Sequence, residues 1–140
     1  MEEVNPNHLP FELTKEFIED IRLLIENQAN EEILLKLDEL FPADITSILI
    51  ELTTEEAKYI VLLIDTKIAA EIISTLDTDD RKKFLKHFTS KEIAQYINVI
   101  DSDDAVDILN EQPVKVREEV IALLKDREQA RFIIDLMHYD

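Results

Sequence analysis

Apolar residues recur every twelve positions along most of this chain of 140 residues. From position 52 onward an apolar pair stands three and four residues before each recurrence, so the pair and the recurring residue share one helical face. A helix of roughly ten residues fits this spacing, and a helix that short cannot bury its apolar side alone. We therefore predict an all-α solenoid of short, stacked helices. The recurring residues are Leu40, Leu52, Ile64, Leu76, Phe88, Ile100, Leu124 and Leu136, with Gln112 interrupting the series once.

Residues that can cap a helix follow the recurring apolar positions, again at twelve-residue spacing. Their short side-chain oxygens can accept hydrogen bonds from the free N–H groups that open a helix. Thr53 with Glu56, and Thr89 with Glu92, also have the spacing of a capping box. The predicted caps are Thr53, Asp65, Asp77, Thr89 and Asp101, with Asn30 capping an earlier helix.

The pattern predicts about ten helices and no strand over residues 11–140, which we interpret as one domain after a flexible lead-in at residues 1–10. Because the chain contains no glycine, each helix must end without the residue that usually supplies a left-handed stop. The units that contain Arg117 and Gln129 are the least regular, as terminal repeats of a stack often are. The predicted helices cover about 11–28, 31–40, 43–51, 54–63, 66–75, 78–87, 90–99, 102–111, 113–124 and 126–137.

The composition excludes several classes of function. Without glycine there can be no P-loop, dinucleotide-binding turn, nucleophile elbow or EF-hand loop. Without cysteine there is no disulfide framework, thiolate zinc site or cysteine nucleophile. No serine or histidine stands in a recognisable catalytic arrangement, and His8, His87 and His138 are too scattered to form a ligand set. We therefore expect the protein not to be an enzyme.

The formal net charge of −17 limits the possible partners. A surface this acidic repels nucleic-acid phosphates and anionic lipid headgroups, so we expect neither nucleic-acid binding nor direct membrane contact. No apolar run approaches the length of a membrane span, which is about 18 to 20 residues. Cations and basic protein surfaces remain as partners.

The densest acidic cluster surrounds the start of the predicted helix 102–111. Asp103 and Asp107 are four residues apart, so both carboxylates project from one helical face and repel unless a cation neutralises them. A structural role is also open, because Asp101 can cap the helix and Asp103 and Asp104 lie where the helix dipole favours negative charge.

The segment from Phe41-Pro42-Ala43-Asp44 to Leu52, followed by units of the form cap-x-[DE]-[DE], resembles the N-terminal cytoplasmic domain of the MgtE magnesium transporters. The resemblance extends to the chain's last residues, 136–140. It implies a right-handed superhelix on the cytoplasmic side of the cell membrane. It further implies a CBS-domain pair and a transmembrane domain beyond residue 140, in a protein that forms a homodimer.

The resemblance also implies a metal site and a function. Asp103, Asp107 and Glu71 match positions at which the family shares Mg²⁺ with its CBS domain. The domain would then be a Mg²⁺ sensor, which docks on the CBS domain of the same chain and favours the closed channel when intracellular Mg²⁺ is high. Because Mg²⁺ keeps several waters and takes few carboxylates from one element, binding to this domain alone is expected to be weak.

Other charged clusters have simpler interpretations. Asp77, Asp79 and Asp80 are explained by capping, by the helix dipole and by the lysines that follow. The one basic patch is interpreted as a solvent-exposed face that could meet an acidic neighbouring domain. It comprises Arg81, Lys82, Lys83, Lys86 and Lys91.

An alternative function remains open from the sequence. Short amphipathic units with acidic caps also occur in FliG-type flagellar motor proteins. The chain could therefore be a scaffold that binds another protein through an exposed apolar groove, with no response to divalent ions.

Overall fold

The computed structural model describes residues 11–137, and in that range the chain forms ten α-helices and no strand. The predicted lead-in at residues 1–10, which contains His8, lies outside the described residues. So does His138, near the other end of the chain. The all-α prediction is therefore confirmed for the range described. The helices are α1 (Lys15–Glu26), α2 (Asn30–Leu37), α3 (Pro42–Glu51), α4 (Thr54–Leu63), α5 (Thr66–Thr75), α6 (Thr78–Leu85), α7 (Ser90–Ile97), α8 (Ser102–Asn110), α9 (Val114–Leu123) and α10 (Arg127–Met137).

Helices α4 and α5 have the predicted bounds, whereas several others end two or three residues early. In α6 and α7 the chain leaves the helix through a tighter turn. The N–H of His87 donates to the carbonyl of Phe84 at 3.2 Å, and that of Val99 donates to Tyr96 at 3.1 Å. These bonds span three residues rather than four, which is the geometry that commonly closes a helix.

The capping predictions hold for four of the regular units. Thr53 and Thr89 each form a complete capping box, and Asp65 and Asp77 accept hydrogen bonds from N–H groups of the first turn. Asp101 occupies the cap position of α8, but its side chain makes no capping hydrogen bond. The assignment of Asn30 is wrong: the cap position of α2 is the preceding alanine, and Asn30 accepts a hydrogen bond from the hydroxyl of Tyr59.

One continuous apolar core runs along the stack. Alternate helices pack against each other, as α3 does on α5, α5 on α7, α7 on α9 and α8 on α10. Ile60, Ile72, Ile97 and Leu109, all from the predicted apolar pairs, are fully buried in this core. The prediction is wrong for Phe132, which is 54% exposed on the last described helix.

Other helices end without glycine in two further ways. Leu52, Ile64, Leu76 and Leu124 follow their helices in extended geometry, and each N–H group donates back to a carbonyl of the last turn. The junction between α1 and α2 instead uses Gln28, the one non-glycine residue with positive φ (54°) among residues 11–137. The N–H groups of Gln28 and the following alanine donate to Ile25 and Leu24, which is the Schellman pattern.

Replacing Gln28 with glycine should stabilise the fold. A side chain in the left-handed region costs roughly 1 kcal/mol that glycine avoids, and part of this gain is lost to the greater freedom of glycine in the unfolded chain. We expect Gln28→Gly to raise the free energy of unfolding by about 0.5 kcal/mol in urea denaturation. Asp38→Gly is the control, because Asp38 has ordinary right-handed geometry (φ −58°) and should gain nothing. Equal effects of the two substitutions would contradict this account.

Two ion pairs join helices that are distant in sequence, and they are related by the repeat. Arg22 of α1 contacts Glu56 of α4 at 3.1 Å, and Lys58 of α4 contacts Glu92 of α7 at 3.3 Å. The second pair lies three twelve-residue units beyond the first. Every third helix thus occupies an equivalent place in the superhelix.

Glu56 and Glu92 each have two roles, because the carboxylate that binds the distant cation also closes a capping box. Burial alone would raise the pKa of Glu56, but hydrogen bonds from Thr53 and Arg22 outweigh burial and bring the pKa below its usual 4.5. For Glu92, burial is likewise outweighed by hydrogen bonds from Thr89 and Lys58, and its pKa is also lowered.

These lowered pKa values predict a specific loss of stability in acid. The ionised carboxylates stabilise the fold above the unfolded pKa of about 4.5, and this contribution disappears as the pH falls through the lower pKa of the folded state. The stability difference between the wild type and Glu56→Gln should therefore be largest near pH 7 and shrink below pH 4.5. The measurement is urea denaturation across that range. Glu55→Gln, a nearby exposed charge, is the control and should show no such trend.

Candidate functional site

Helix α8 carries the candidate acidic residues on its exposed side. Ala105, Ile108 and Leu109 are buried in the core, while Asp103 and Asp107 are exposed. Neither carboxylate makes a hydrogen bond or an ion pair of 4.0 Å or less with the rest of residues 11–137. The structure thus leaves both carboxylates open to solvent and to any partner.

Glu71 is likewise exposed, on α5, whose opposite side is buried. It stands three twelve-residue units before Asp107, the same shift that relates the Arg22–Glu56 pair to the Lys58–Glu92 pair. Glu71 and Asp107 therefore occupy equivalent places on consecutive turns of the superhelix. Within residues 11–137, however, no three side chains from His, Cys, Asp or Glu come close enough together to hold a metal ion.

A buried arginine, Arg81, lies between these two helices, and its predicted exposure is wrong. Arg81 was predicted to belong to an exposed basic patch, but it is only 7% exposed. Its Nε donates to Oε1 of Glu111 at 2.8 Å, and a second nitrogen donates to the other oxygen of that carboxylate. The remaining patch residues are exposed as predicted, namely Lys82, Lys83, Lys86 and Lys91.

The same guanidinium closes the end of α5. Its Nη1 donates to the backbone carbonyls of Ser74 and Leu76, each at 3.0 Å, and more weakly to that of Ile73. These carbonyls lie at the C-terminal end of α5, where no further helical N–H follows. Arg81 therefore holds the end of the helix that carries Glu71 to the end of the helix that carries Asp103 and Asp107.

The repeat register contained a signal for this role. Arg81 stands where other units have a small core residue, at the positions of Ala57, Ala69 and Ala105. Arg117, three units further on, makes the equivalent contacts, because it donates to the carbonyls of Leu109 and Gln112 at the end of α8. From the sequence, Arg117 is predicted to mark an irregular terminal repeat, whereas in the structure it donates hydrogen bonds to the open carbonyls at the end of a preceding helix.

The electrostatic surroundings of Arg81 are strongly acidic. Its hydrogen bonds to Glu111 raise the pKa of the guanidinium above its usual value, despite the opposing effect of burial. The charges of Asp107 and Asp104 raise the pKa further. Arg81 thus attracts the carboxylates of Glu111, Asp107 and Asp104 at the acidic side of α8.

The remaining candidates have structural roles. Asp77 caps α6, and the N–H of Asp80 that it binds is the main cause of its lowered pKa. His87 is exposed, and its backbone carbonyl accepts a hydrogen bond from Lys58 at 2.6 Å. A groove of about 310 Å³, which no sequence pattern indicated, lies between α3, α4 and α6, and its wall includes Ile50 and Phe84.

Loss of Arg81 should destabilise the protein more than loss of Arg117. Arg81→Met leaves the Glu111 carboxylate, which is 11% exposed, without its counter-charge, and breaking a buried pair from one side typically costs about 3 kcal/mol or more. Arg117→Met removes only hydrogen bonds to carbonyls, and should cost about 1 to 2 kcal/mol. Urea denaturation of the two variants tests this ranking. Equal losses would contradict the importance of the ion pair.

Comparison with solved structures supports the superhelical fold. The chain superimposes on the crystal structure of the soluble part of a magnesium transporter. The TM-score is 0.73 and the sequence identity is 20%, and the match covers 90% of this chain and 50% of the other. It also superimposes on the crystal structure of the cytosolic domain of the Mg2+ channel MgtE in complex with ATP. Here the TM-score is 0.72 and the identity 20%, and the match covers 88% of this chain and 50% of the other. The chain thus spans half the length of these proteins.

The sequence comparison is consistent with this fold. No curated protein matches the chain. No helix within residues 11–137 combines the length and the apolar character that crossing a bilayer requires. Residues 40–140 match the family described as the MgtE intracellular N domain. The chain therefore belongs to the MgtE intracellular N domain family, as the resemblance predicted.

Proposed function

We propose that this chain is the Mg²⁺-sensing regulatory domain of a magnesium channel or transporter. The main support is family membership over residues 40–140, together with a fold shared with the soluble part of a magnesium transporter. The sensing surface is formed by Asp103 and Asp107 of α8, with Glu71 of α5. It acts on the cytoplasmic side of the membrane, in a homodimer whose CBS domains belong to the same chains.

The chemistry of the exposed carboxylates fits a hard cation. Asp103 and Asp107 project from one side of α8 without a lysine or arginine nitrogen from the described residues within 4.0 Å. Arg81 attracts Asp107 from farther away but is already paired with Glu111, so much of the repulsion between the two aspartates remains. Mg²⁺ prefers oxygen ligands and retains several of its waters, which suits one or two carboxylates from a single helix. The equivalent placement of Glu71 and Asp107 offers a second carboxylate one superhelical turn away.

The need for a partner follows from the same geometry. Residues 11–137 bring no three candidate ligands together, so this surface supplies only part of a site. We propose that the CBS domain supplies the remaining oxygens and that Mg²⁺ bridges the two domains. A site completed only in the docked state binds Mg²⁺ more tightly there.

This difference in affinity gives the ion control over the docking equilibrium. At low Mg²⁺ the acidic surfaces repel and the domain is released, since the net charge of this chain alone is −17. At high Mg²⁺ the bridging ions favour the docked state and the closed channel. Because an ion shifts the equilibrium only by its differential affinity for the two states, removing its ligands should remove the response.

The test is a Mg²⁺ titration of a protein that carries this domain and the CBS pair, with compaction followed by small-angle X-ray scattering. The wild type should become more compact as Mg²⁺ rises. The double substitution Asp103→Asn and Asp107→Asn should shift the midpoint to higher Mg²⁺ by tenfold or more, since losing the two charged ligands together should weaken ion binding in the docked state by at least about 1.4 kcal/mol.

A matched control removes two acidic charges elsewhere. Glu31→Gln with Glu32→Gln changes the net charge equally on α2, where both side chains are exposed in the first turn. This variant should keep the wild-type midpoint. An unchanged midpoint in the aspartate variant, or equal shifts in both variants, would contradict the assignment of the site to α8.

The alternative is a scaffold that binds a protein partner independently of Mg²⁺. The observation that favours it is the groove between α3, α4 and α6, beside which Ile50 is 73% exposed. In that case compaction of the longer protein would not respond to Mg²⁺, and Ile50→Ser rather than the aspartate substitutions would disrupt the interaction.

A further inference from the structure

The acidic row on α8 is longer than the two residues assigned to the metal. Asp103, Asp107 and Glu111 follow one another at four-residue spacing, and Glu111 still has right-handed helical geometry at the end of α8 (φ −79°, ψ −14°). Residues at this spacing lie above one another on one side of a helix. Glu111 therefore continues the row that the first two residues begin.

Glu111 differs from the other two because it is neutralised. Its carboxylate accepts two hydrogen bonds from the guanidinium of Arg81, and both side chains are almost fully buried, at 8% and 11% exposure. The backbone carbonyls at the end of α5 hold the guanidinium from the other side. Arg81 therefore cannot swing away to release Glu111 without leaving those carbonyls unsatisfied.

We propose that Arg81 is a tuning residue, which keeps Glu111 out of the acidic row and thereby sets a low Mg²⁺ affinity for α8. The inference rests on the proposed function, because it concerns the same site. Its physical content is that the fixed positive charge of Arg81 acts on the carboxylates of α8 in addition to joining two helices. The influence of Asp107 and Asp104 on the Arg81 guanidinium supports this, since an electrostatic interaction acts equally in both directions.

The proposal makes a prediction that a structural role alone does not make. Arg81→Met frees the negative charge of Glu111 and should raise the affinity for a divalent cation. Glu111→Gln leaves the positive charge of Arg81 without its partner and should lower the affinity. The double variant removes both charges and should return close to the wild type. A purely structural role predicts a loss of affinity in every variant, because each one loosens the junction between α5 and α8.

The experiment uses Mn²⁺ as the probe on the 140-residue chain, since carboxylate and water ligands suit Mn²⁺ as they suit Mg²⁺. Paramagnetic broadening of backbone amide signals in NMR locates the ion, and its concentration dependence gives the affinity. We expect roughly two- to fivefold changes, upward for Arg81→Met and downward for Glu111→Gln, because one charge acts on the ion at moderate distance through water and salt. Lower ionic strength should enlarge both changes.

The charge-matched control is Lys36→Met, which removes one positive charge from the exposed side of α2 and should leave the affinity of α8 unchanged. The amide spectrum of each variant also shows whether the fold is retained, and the double variant keeps the test valid if Arg81→Met unfolds. Shifts of the same sign in both single variants, or none, would overturn the role of Arg81. Absence of broadening on α8 in the wild-type protein would instead contradict the proposed function itself.

Discussion

The whole structure depends on the burial of apolar side chains that no single helix can achieve. The helices are between eight and twelve residues long, too short to be stable as isolated helices in water. Each becomes stable only when its apolar side meets the helices before and after it, and alternate helices supply most of these contacts. The core is therefore continuous along the stack, so each unit contributes to the stability of its neighbours.

The absence of glycine imposes a second constraint, because helices must end without the residue that usually supplies a left-handed stop. Extended apolar residues and arginine side chains take its place at many of the helix ends. Helices such as α3 and α5 end at an extended apolar residue, which serves the core while the next residue begins the following helix. Where carbonyls remain open, an arginine side chain from a following unit donates to them, as Arg81 and Arg117 do. Arg127 does the same at the end of α9, with donors to the carbonyls of Ile121 and Leu124. The guanidinium thus donates to carbonyls that a glycine-ended helix would satisfy with its own backbone N–H groups.

The acidic side chains of this protein fall into two groups, those that form ion pairs within the fold and those that do not. Glu56, Glu92 and Glu111 each pair with an arginine or lysine side chain of another helix. Asp103 and Asp107 have no such partner within 4.0 Å among residues 11–137, although Arg81 attracts Asp107 from farther away, and the repulsion between the two aspartates opposes stability. An acidic surface kept free of internal partners costs stability in isolation. It is reasonable for a domain whose proposed role is to meet a second acidic surface through Mg²⁺.

The sequence by itself determined the helical class, the twelve-residue unit, most of the caps and most of the core, because these features depend on local periodicity and local hydrogen bonds. Thr53 and Glu56 show this directly, since both partners of their capping box lie within one turn. Candidate ligands could be proposed on residue type and family resemblance, but the sequence could not show that Asp107 is free while Glu111 is bound.

Only the tertiary structure decided the role of Arg81 and the ion pairs of the glutamates at the capping boxes. The partners of these side chains lie about thirty residues away in sequence, and no local pattern specifies which helices the superhelix brings together. Arg81 looks like its lysine neighbours in the sequence, yet its place at a core-facing position of the unit buries it. Burial without a partner would be too costly for a charge, and the fold supplies that partner from a different helix. Caps and apolar periodicity could be predicted because they depend on residues close together in the sequence. The pairing of distant charges could not, because it depends on how the completed stack of helices curves.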